Sequence, residues 1–218
     1  MFRRSIVLVS TSVAAIAAVP NLQPVAVSAA TGGASSQAAP TSSATAHLRS
    51  HHVLVGARIA VRGRAAGYRA STPLALQRRS GDGRWITVAR ARTGAQGRYR
   101  VSWTAPHVGR RSLRVAVASA RVAAGRVVIY RRALASWYGP GLYGGPLACG
   151  GRLHEGTLGV ANKTLPCGAK VTVRFHGRSV RVPVVDRGPY VGGREFDLTG
   201  ALRNRLRFDG VGTVLVSR

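Results

Sequence analysis

Apolar residues and arginines alternate with a period of two through the middle of this chain, and that pattern suits strands, not helices. Tyr99, Val101 and Trp103 alternate with Arg98, Arg100 and Ser102; Leu113, Val115 and Val117 alternate with Arg114 and Ala116. Successive side chains of a strand leave opposite faces, so the apolar set turns inward and arginine turns out. Further strand-like runs fall at 53–61, 74–77, 85–89 and 126–130, with Thr72-Pro73 as a break before the second. Ser80-Gly81-Asp82-Gly83 lies between two runs and is a hairpin signal. Six or so short strands at this spacing predict a small antiparallel β-sandwich of immunoglobulin-like type over residues 51–132. It carries no His/Asp/Ser cluster, so it reads as a binding or spacer module.

Charge divides the chain further. The 218 residues hold 33 Lys+Arg against 6 Asp+Glu, a formal charge of +27, and only Lys163 and Lys170 are lysines. Residues 51–132 carry eighteen arginines against Asp82 alone, whereas Glu155, Asp186, Glu195, Asp197 and Asp209 all fall in 133–218. Such an excess points to an anionic partner. Two cysteines exclude a disulfide-rich mini-protein and a four-cysteine zinc site, and neither a metal nor a cofactor is expected. Nucleic acid fits the charge alone, but no stacking platform or nucleic-acid motif is visible.

The first thirty residues read as a secretory signal. Arg3 and Arg4 precede an apolar run at 6–19, and Val27-Ser28-Ala29 offers a small-x-small cleavage pattern. The run ends at Pro20-Asn21, short of the roughly 20 residues a membrane span needs. Residues 31–50 are Ala/Ser/Thr/Gly-rich and acid-free, a disordered linker composition. The expected location is therefore secreted, outside the cytoplasm. Export also argues against nucleic acid as the physiological partner.

Residues 133–218 have a different texture. Ala135-Ser136-Trp137-Tyr138-Gly139-Pro140-Gly141 leads into a Gly-rich stretch, and strand-like runs follow at 158–161, 170–175, 179–185 and 211–217. Residues 199–206 predict a short helix with Thr199 as N-cap. Cys149 and Cys167, 18 positions apart in an exported chain, read as a disulfide worth roughly 3 kcal/mol. Free thiols, one of them a Cys–His nucleophile, are the alternative. Asp186 ends an apolar strand, and Asp197 sits between Phe196 and Leu198 just before the helix. A half-buried carboxylate beside aromatics suits general acid work near neutral pH. The competing roles are a pair with Arg187 or a turn cap for Asp186, and an ordinary helix-start acid for Asp197. Trp137, Tyr138, Tyr143 and Tyr190 lie in loop or strand-edge contexts where their ring faces can stack on a ligand, each with a core role as its alternative.

These residues carry a resemblance. Ala135-Ser136-Trp137-Tyr138-Gly139, Ala161-Asn162-Lys163-Thr164-Leu165-Pro166-Cys167-Gly168, Val185-Asp186-Arg187-Gly188-Pro189-Tyr190 and Phe196-Asp197-Leu198 resemble, in order, the rare lipoprotein A (RlpA) family, related to expansins. The resemblance implies an all-β chain: a six-stranded double-psi β-barrel over 133–218 behind the sandwich. It implies peptidoglycan glycan strands as partner and lytic transglycosylase activity, or expansin-like loosening without cleavage. Asp186 and Asp197 match family aspartates and are the catalytic candidates. Asn162 stands where the transglycosylases usually have a functional His, and Gly151 near where they have a functional Glu. His154 and Glu155 are the nearby substitutes for those two. Asn162 and Arg187 are grouped with the aromatics as substrate-binding candidates. Anionic wall polymers are the expected partner of the Arg-rich module.

Overall fold

The computed structural model describes residues 43–218; the export segment expected over 1–30 and the linker up to residue 42 lie outside the described residues. Fourteen strands and one α-helix follow in chain order. In the first half they are β1 (Ser43–Ala44), β2 (His47–Leu48), β3 (His52–Leu54), β4 (Arg58–Ala66), β5 (Pro73–Arg79), β6 (Trp85–Arg92), β7 (Arg98–Thr104) and β8 (Gly109–Val117). Then come β9 (Ala120–Tyr138), β10 (Val160–Ala161), β11 (Lys170–Phe175), β12 (Arg178–Asp186), β13 (Phe196–Thr199), α1 (Gly200–Leu206) and β14 (Gly212–Ser217).

Composition predicts a linker through residue 50, yet β1 and β2 both pair antiparallel with β4. Small residues are enough there: Ala46 is buried, Leu48 packs on the same core, and the Tyr99 hydroxyl donates to the Thr45 carbonyl. The apolar run 53–61 is also two strands, not one. Gly56 turns the chain between them at φ +81, a conformation glycine adopts without a Cβ penalty.

The first half is a two-sheet sandwich. One sheet holds β1 and β2 on one side of β4 and β7 on the other; the second runs β6-β5-β8-β9-β3. Between them lie Ile59, Val61, Leu74, Leu76, Tyr99, Val101, Leu113, Val115, Val117, Val127 and Ile129, all buried. Burying each aliphatic side chain contributes roughly 1.5–3 kcal/mol. The residues predicted to turn inward by period-two alternation are these ones, Trp103 being partly buried against them.

No linker separates the halves. The boundary drawn from composition at 132/133 falls inside β9, which changes partners along its length. Residues 120–129 pair with β8, residues 131–135 with β14 and residues 135–138 with β13. The second half closes as β9-β13-β10-β12-β11-β14 and back to β9. Two of the six pairings, β9–β13 and β10–β12, are parallel. Inside the ring pack Ala133, Ala135, Val160, Val171, Val173, Val182, Val184, Phe196, Leu198 and Val214, with Leu202 and Leu206 of α1 closing one side. Thr199 does stand at the N-cap of α1, but its hydroxyl makes no cap bond. It is bonded instead to the backbone of Gly159, accepting from its N–H and donating to its carbonyl.

Candidate active site

Strand register brings the two aspartates together. Ser136 of β9 faces Asp197 of β13, Asp197 faces Ala161 of β10, and Ala161 faces Asp186 of β12. These four residues form one row across four neighbouring strands. The parity of β12 would forbid this, because Val182 and Val184 point into the core and Asp186 shares their parity. A β-bulge solves it. Val160 pairs with Val184 but Ala161 pairs with Asp186, so Val185 is skipped and Asp186 turns to the face that carries Asp197. Gly159 makes room for the extra residue: a Cβ there would meet Val185 Cγ2 at 2.4 Å.

Each carboxylate has one oxygen anchored. Asp186 Oδ1 accepts from the backbone N–H of Ala148 (2.9 Å) and of Arg187 (2.8 Å). Asp197 Oδ1 accepts from the Ser136 hydroxyl. The second oxygen of each makes no hydrogen bond of normal geometry among the described residues. Tyr138 joins them from β9, on the same strand face as Ser136. Burial raises its hydroxyl pKa above the ordinary tyrosine value, the charge of Asp186 and the hydroxyl's approach to that carboxylate raise it further, and Asp197 adds a smaller rise. That hydroxyl is buried and makes no hydrogen bond of normal geometry. A buried donor without a partner, set between two carboxylates, is costly and characteristic of functional positions. Period two alone ties Ser136 to Tyr138 and could have flagged it; Ala148 and Gly159 give no such signal, because a bulge and a distant loop place them.

The other candidates separate. Asn162 is 7% exposed and its side chain is fully engaged. Its amide donates to the Glu195 carbonyl (2.9 Å), and its oxygen accepts from the N–H groups of Thr164 and Leu165 (3.1 and 2.8 Å). Arg187 does not pair with Asp186 through its guanidinium. It donates to the carbonyls of Asn162 (3.2 Å) and Leu165 (3.0 Å), and lies 3.1 Å from Cys167 Sγ. Both residues therefore build the loop 162–167, which the Cys149–Cys167 disulfide ties to the Ala148 loop. Trp137 points to the barrel core, with the Arg203 guanidinium 4.5 Å above its ring. Tyr190 is 80% exposed and Tyr143 is 38% exposed, the latter seated over Gly139 and Gly200. With Leu142 and Val191 they form the exposed apolar positions of the flanking loops. His154 and Glu155 are exposed on the 151–159 loop, and no hydrogen bond or ion pair links either side chain to the aspartates.

A cleft of about 210 Å³ lies elsewhere, lined by Arg131, Asn162, Lys163, Arg194, Glu195 and Phe196 among others. Its only acid, Glu195, is bound to Arg131 at 2.6 Å. No cluster of three metal-ligating side chains exists among the described residues.

A closed six-stranded barrel with two parallel pairings and an open row of carboxylates defines a class, and the comparisons agree with it. Residues 131–217 match the family described as lytic transglycolase, and this part of the chain is an RlpA-like double-psi β-barrel domain. A relative in Synechocystis sp., "Probable endolytic peptidoglycan transglycosylase RlpA", is 42% identical over 107 residues, 47% of this chain and 33% of the relative. "Endolytic peptidoglycan transglycosylase RlpA" of Campylobacter jejuni is 39% identical over 85 residues, 38% of this chain and 31% of the relative. The chain thus spans about a third of the length of the curated relatives it matches. Among solved structures, Streptomyces papain inhibitor is 27% identical, with a TM-score of 0.31, covering 41% of this chain and 94% of that one.

Proposed function

We propose that this protein is an extracytoplasmic, wall-directed lytic transglycosylase acting on peptidoglycan glycan strands, with Asp186 and Asp197 as its acid/base pair. The observation that carries this reading is the row Ser136–Asp197–Ala161–Asp186, in which a bulge turns both carboxylates to one face. One carboxyl group donates its proton to the glycosidic oxygen as the C1–O bond breaks through an oxocarbenium-like state. The carboxylate left behind takes the proton of the sugar's own primary hydroxyl, whose oxygen bonds to C1. Water is not consumed and an anhydro-sugar end results. The second carboxylate faces the positive charge developing at C1, and the Tyr138 hydroxyl, held protonated, donates to the reacting groups. Tyr143 and Tyr190 supply exposed rings at the rim, and anionic wall polymers are held by the Arg-rich sandwich. A disulfide beside the site accords with an oxidising compartment.

A second reading, wall binding or loosening without cleavage, is favoured by one observation. The Asn162 side chain is wholly engaged in its own loop and offers nothing where relatives of this type carry a functional His. Incubation with purified sacculi separates the two. Release of anhydro-muropeptides, lowered about 10²–10⁴-fold by Asp186→Asn and by Asp197→Asn, is expected for the enzyme. Product release no greater than that of the two variants overturns it and leaves the binding reading.

A further inference from the structure

The first sheet of the sandwich carries an arrangement that strand pairing normally avoids. In the β4–β7 register Arg62 lies directly opposite Arg100, and Arg64 directly opposite Arg98. His47 of β2 extends the first pair into a row of three, and Arg58 continues the series along β4. Like charges set directly opposite each other destabilise a sheet. None of these arginines has a carboxylate partner: among the described residues the ion pairs are Arg84–Asp82, Arg131–Glu195 and Arg203–Asp209. All five arginines are exposed. Arg62 and Arg64 lie about 7 Å apart along β4, each about 5 Å from the arginine it faces, and Arg58 stands two such steps beyond Arg62, opposite Thr104.

We infer that this face is the docking surface for a phosphodiester-linked polyol polymer, which deepens the wall-directed reading above. The guanidinium fork matches the paired non-bridging oxygens of a phosphodiester. A polymer with charges recurring along its backbone meets a strand-regular ladder of forks, whereas a single small anion uses only one rung. Two other polyanions fit less well. A lipid surface calls for apolar anchors, yet none of the exposed large hydrophobic residues lies on β4 or β7. A nucleic acid calls for stacking rings. The outward positions between the arginines are Ala60 and Ser102, which face each other.

The test uses the full chain and synthetic poly(glycerol phosphate), titrated across about 50–200 mM salt. Five engaged arginines give a log–log slope of about −3.5, so affinity falls roughly 100-fold over that range. Replacing Arg62, Arg64, Arg98 and Arg100 by Gln reduces the slope by about 3, and Arg62→Gln with Arg100→Gln alone by about half that. The same charge removed from the opposite sheet, at Arg90, Arg92, Arg110 and Arg126, changes it by less than about 1. Because opposed like charges are removed, the face variant melts no lower than the wild type. The inference is overturned if the opposite-sheet variant loses as much slope as the face variant, or if the face variants keep the wild-type slope. It is equally overturned if phosphatidylglycerol vesicles or a single-stranded oligonucleotide of equal charge binds more tightly than the polymer. The polymer contains no glycosidic bond, so a catalytically silent barrel leaves this result unchanged. Anhydro-sugar release from isolated glycan strands succeeds or fails without the arginine face.

Discussion

Substituting Gly159 by alanine tests whether the bulge in β12 builds the site. A Cβ at position 159 would sit 2.4 Å from Val185 Cγ2 and 2.7 Å from Cγ1, where ordinary contact begins at 3.4 Å. About 1 Å must be absorbed. Gly159 cannot readily retreat, because its N–H and carbonyl are both bonded to the Thr199 hydroxyl and its carbonyl also accepts from the Thr199 N–H. Its φ is not in the left-handed region, so the cost is steric alone. Overpacking of this kind costs about 1–3 kcal/mol, offset by about 0.4–1 kcal/mol from the reduced freedom of the unfolded chain. The expected fall in Tm is then roughly 2–8 °C. Val185 relieves the clash by moving, and Asp186, the next residue, moves with it; a misplacement near 1 Å costs about 10²-fold in rate. Val185→Ala removes both offending methyls and leaves the nearest contact at 3.1 Å, to Cβ. The double variant should therefore be more stable than the sum of the single effects by about 1–2 kcal/mol, well outside the 0.3–0.5 kcal/mol scatter of independent sites. Thermal melts and anhydro-muropeptide release of all four proteins decide it. Additive stabilities would refute the packing argument. A destabilised Gly159→Ala variant with an unchanged rate would refute the link from Val185 to the chemistry.

Tyr138→Phe should reduce product release while leaving Tm unchanged or higher, since it deletes a buried hydroxyl that lacks a hydrogen bond and whose burial costs about 1–3 kcal/mol. A lower Tm together with unchanged release would reverse that assignment. Tyr99 is 6% exposed, and burial pushes its pKa from the ordinary 10.0 up to about 12. The fold disfavours the phenolate, so this contribution to stability is complete below pH 10.0 and is lost as pH rises through about 12. Tyr130 and Tyr138 are raised as well, so a tyrosinate titration should show several late-titrating rings and lose one of them in Tyr99→Phe; identical curves would contradict the burial argument. Reducing the Cys149–Cys167 bridge should cost roughly 3 kcal/mol and lower activity, because it frees the loop whose Ala148 N–H holds Asp186. A melt insensitive to reductant would rule that out. Asn162→Ala should destabilise by about 1–3 kcal/mol, leaving the Thr164 and Leu165 N–H groups without their acceptor, which a melt will show.

Period two told which side of β7 and β8 faces the core, because Tyr99, Val101, Leu113, Val115 and Val117 alternate with arginine or small residues and the partition is unambiguous. Applied to β12, the same alternation would put Asp186 on the core side with Val182 and Val184, since a bulge is invisible until its partner strand is known. β10 contributes only Val160 and Ala161 to that pairing, too short a stretch to announce itself by pattern. Composition failed at residues 43–50 for a related reason. Strands of two residues need no hydrophobic run when β4 supplies the neighbouring backbone. The aspartates were legible because acids are so few, whereas Asn162, Arg187 and Trp137 sit in equally well-matched motifs and serve the loop and the core. Motif order identifies which residues belong to the barrel. Only register and hydrogen bonding distinguish the carboxylates that share one face from the side chains engaged in the loop and the core.

Asp186 and Asp197 remain without an arginine partner although acids are scarce and arginine abundant. In a chain with a formal charge of +27, any acid is surrounded by potential arginine partners. Asp82, Glu195 and Asp209 are each captured by one. Asp186 and Asp197 escape because their anchors are neutral: two backbone N–H groups for one and a serine hydroxyl for the other. Arg187, the nearest candidate to quench Asp186, spends its guanidinium on the carbonyls of the 162–165 loop. The barrel thus holds both carboxylates inside a strongly positive molecule with backbone and hydroxyl donors in place of cations. β9 then gives the charge division a consequence. A flexible linker would let a polymer-bound sandwich leave its barrel anywhere within reach, but a shared strand of 19 residues fixes the barrel against the sandwich. Binding by one half therefore sets both the local concentration and the orientation of the other. Polymer held on the arginine ladder should consequently increase attack on glycan attached to that polymer and leave attack on free glycan unchanged.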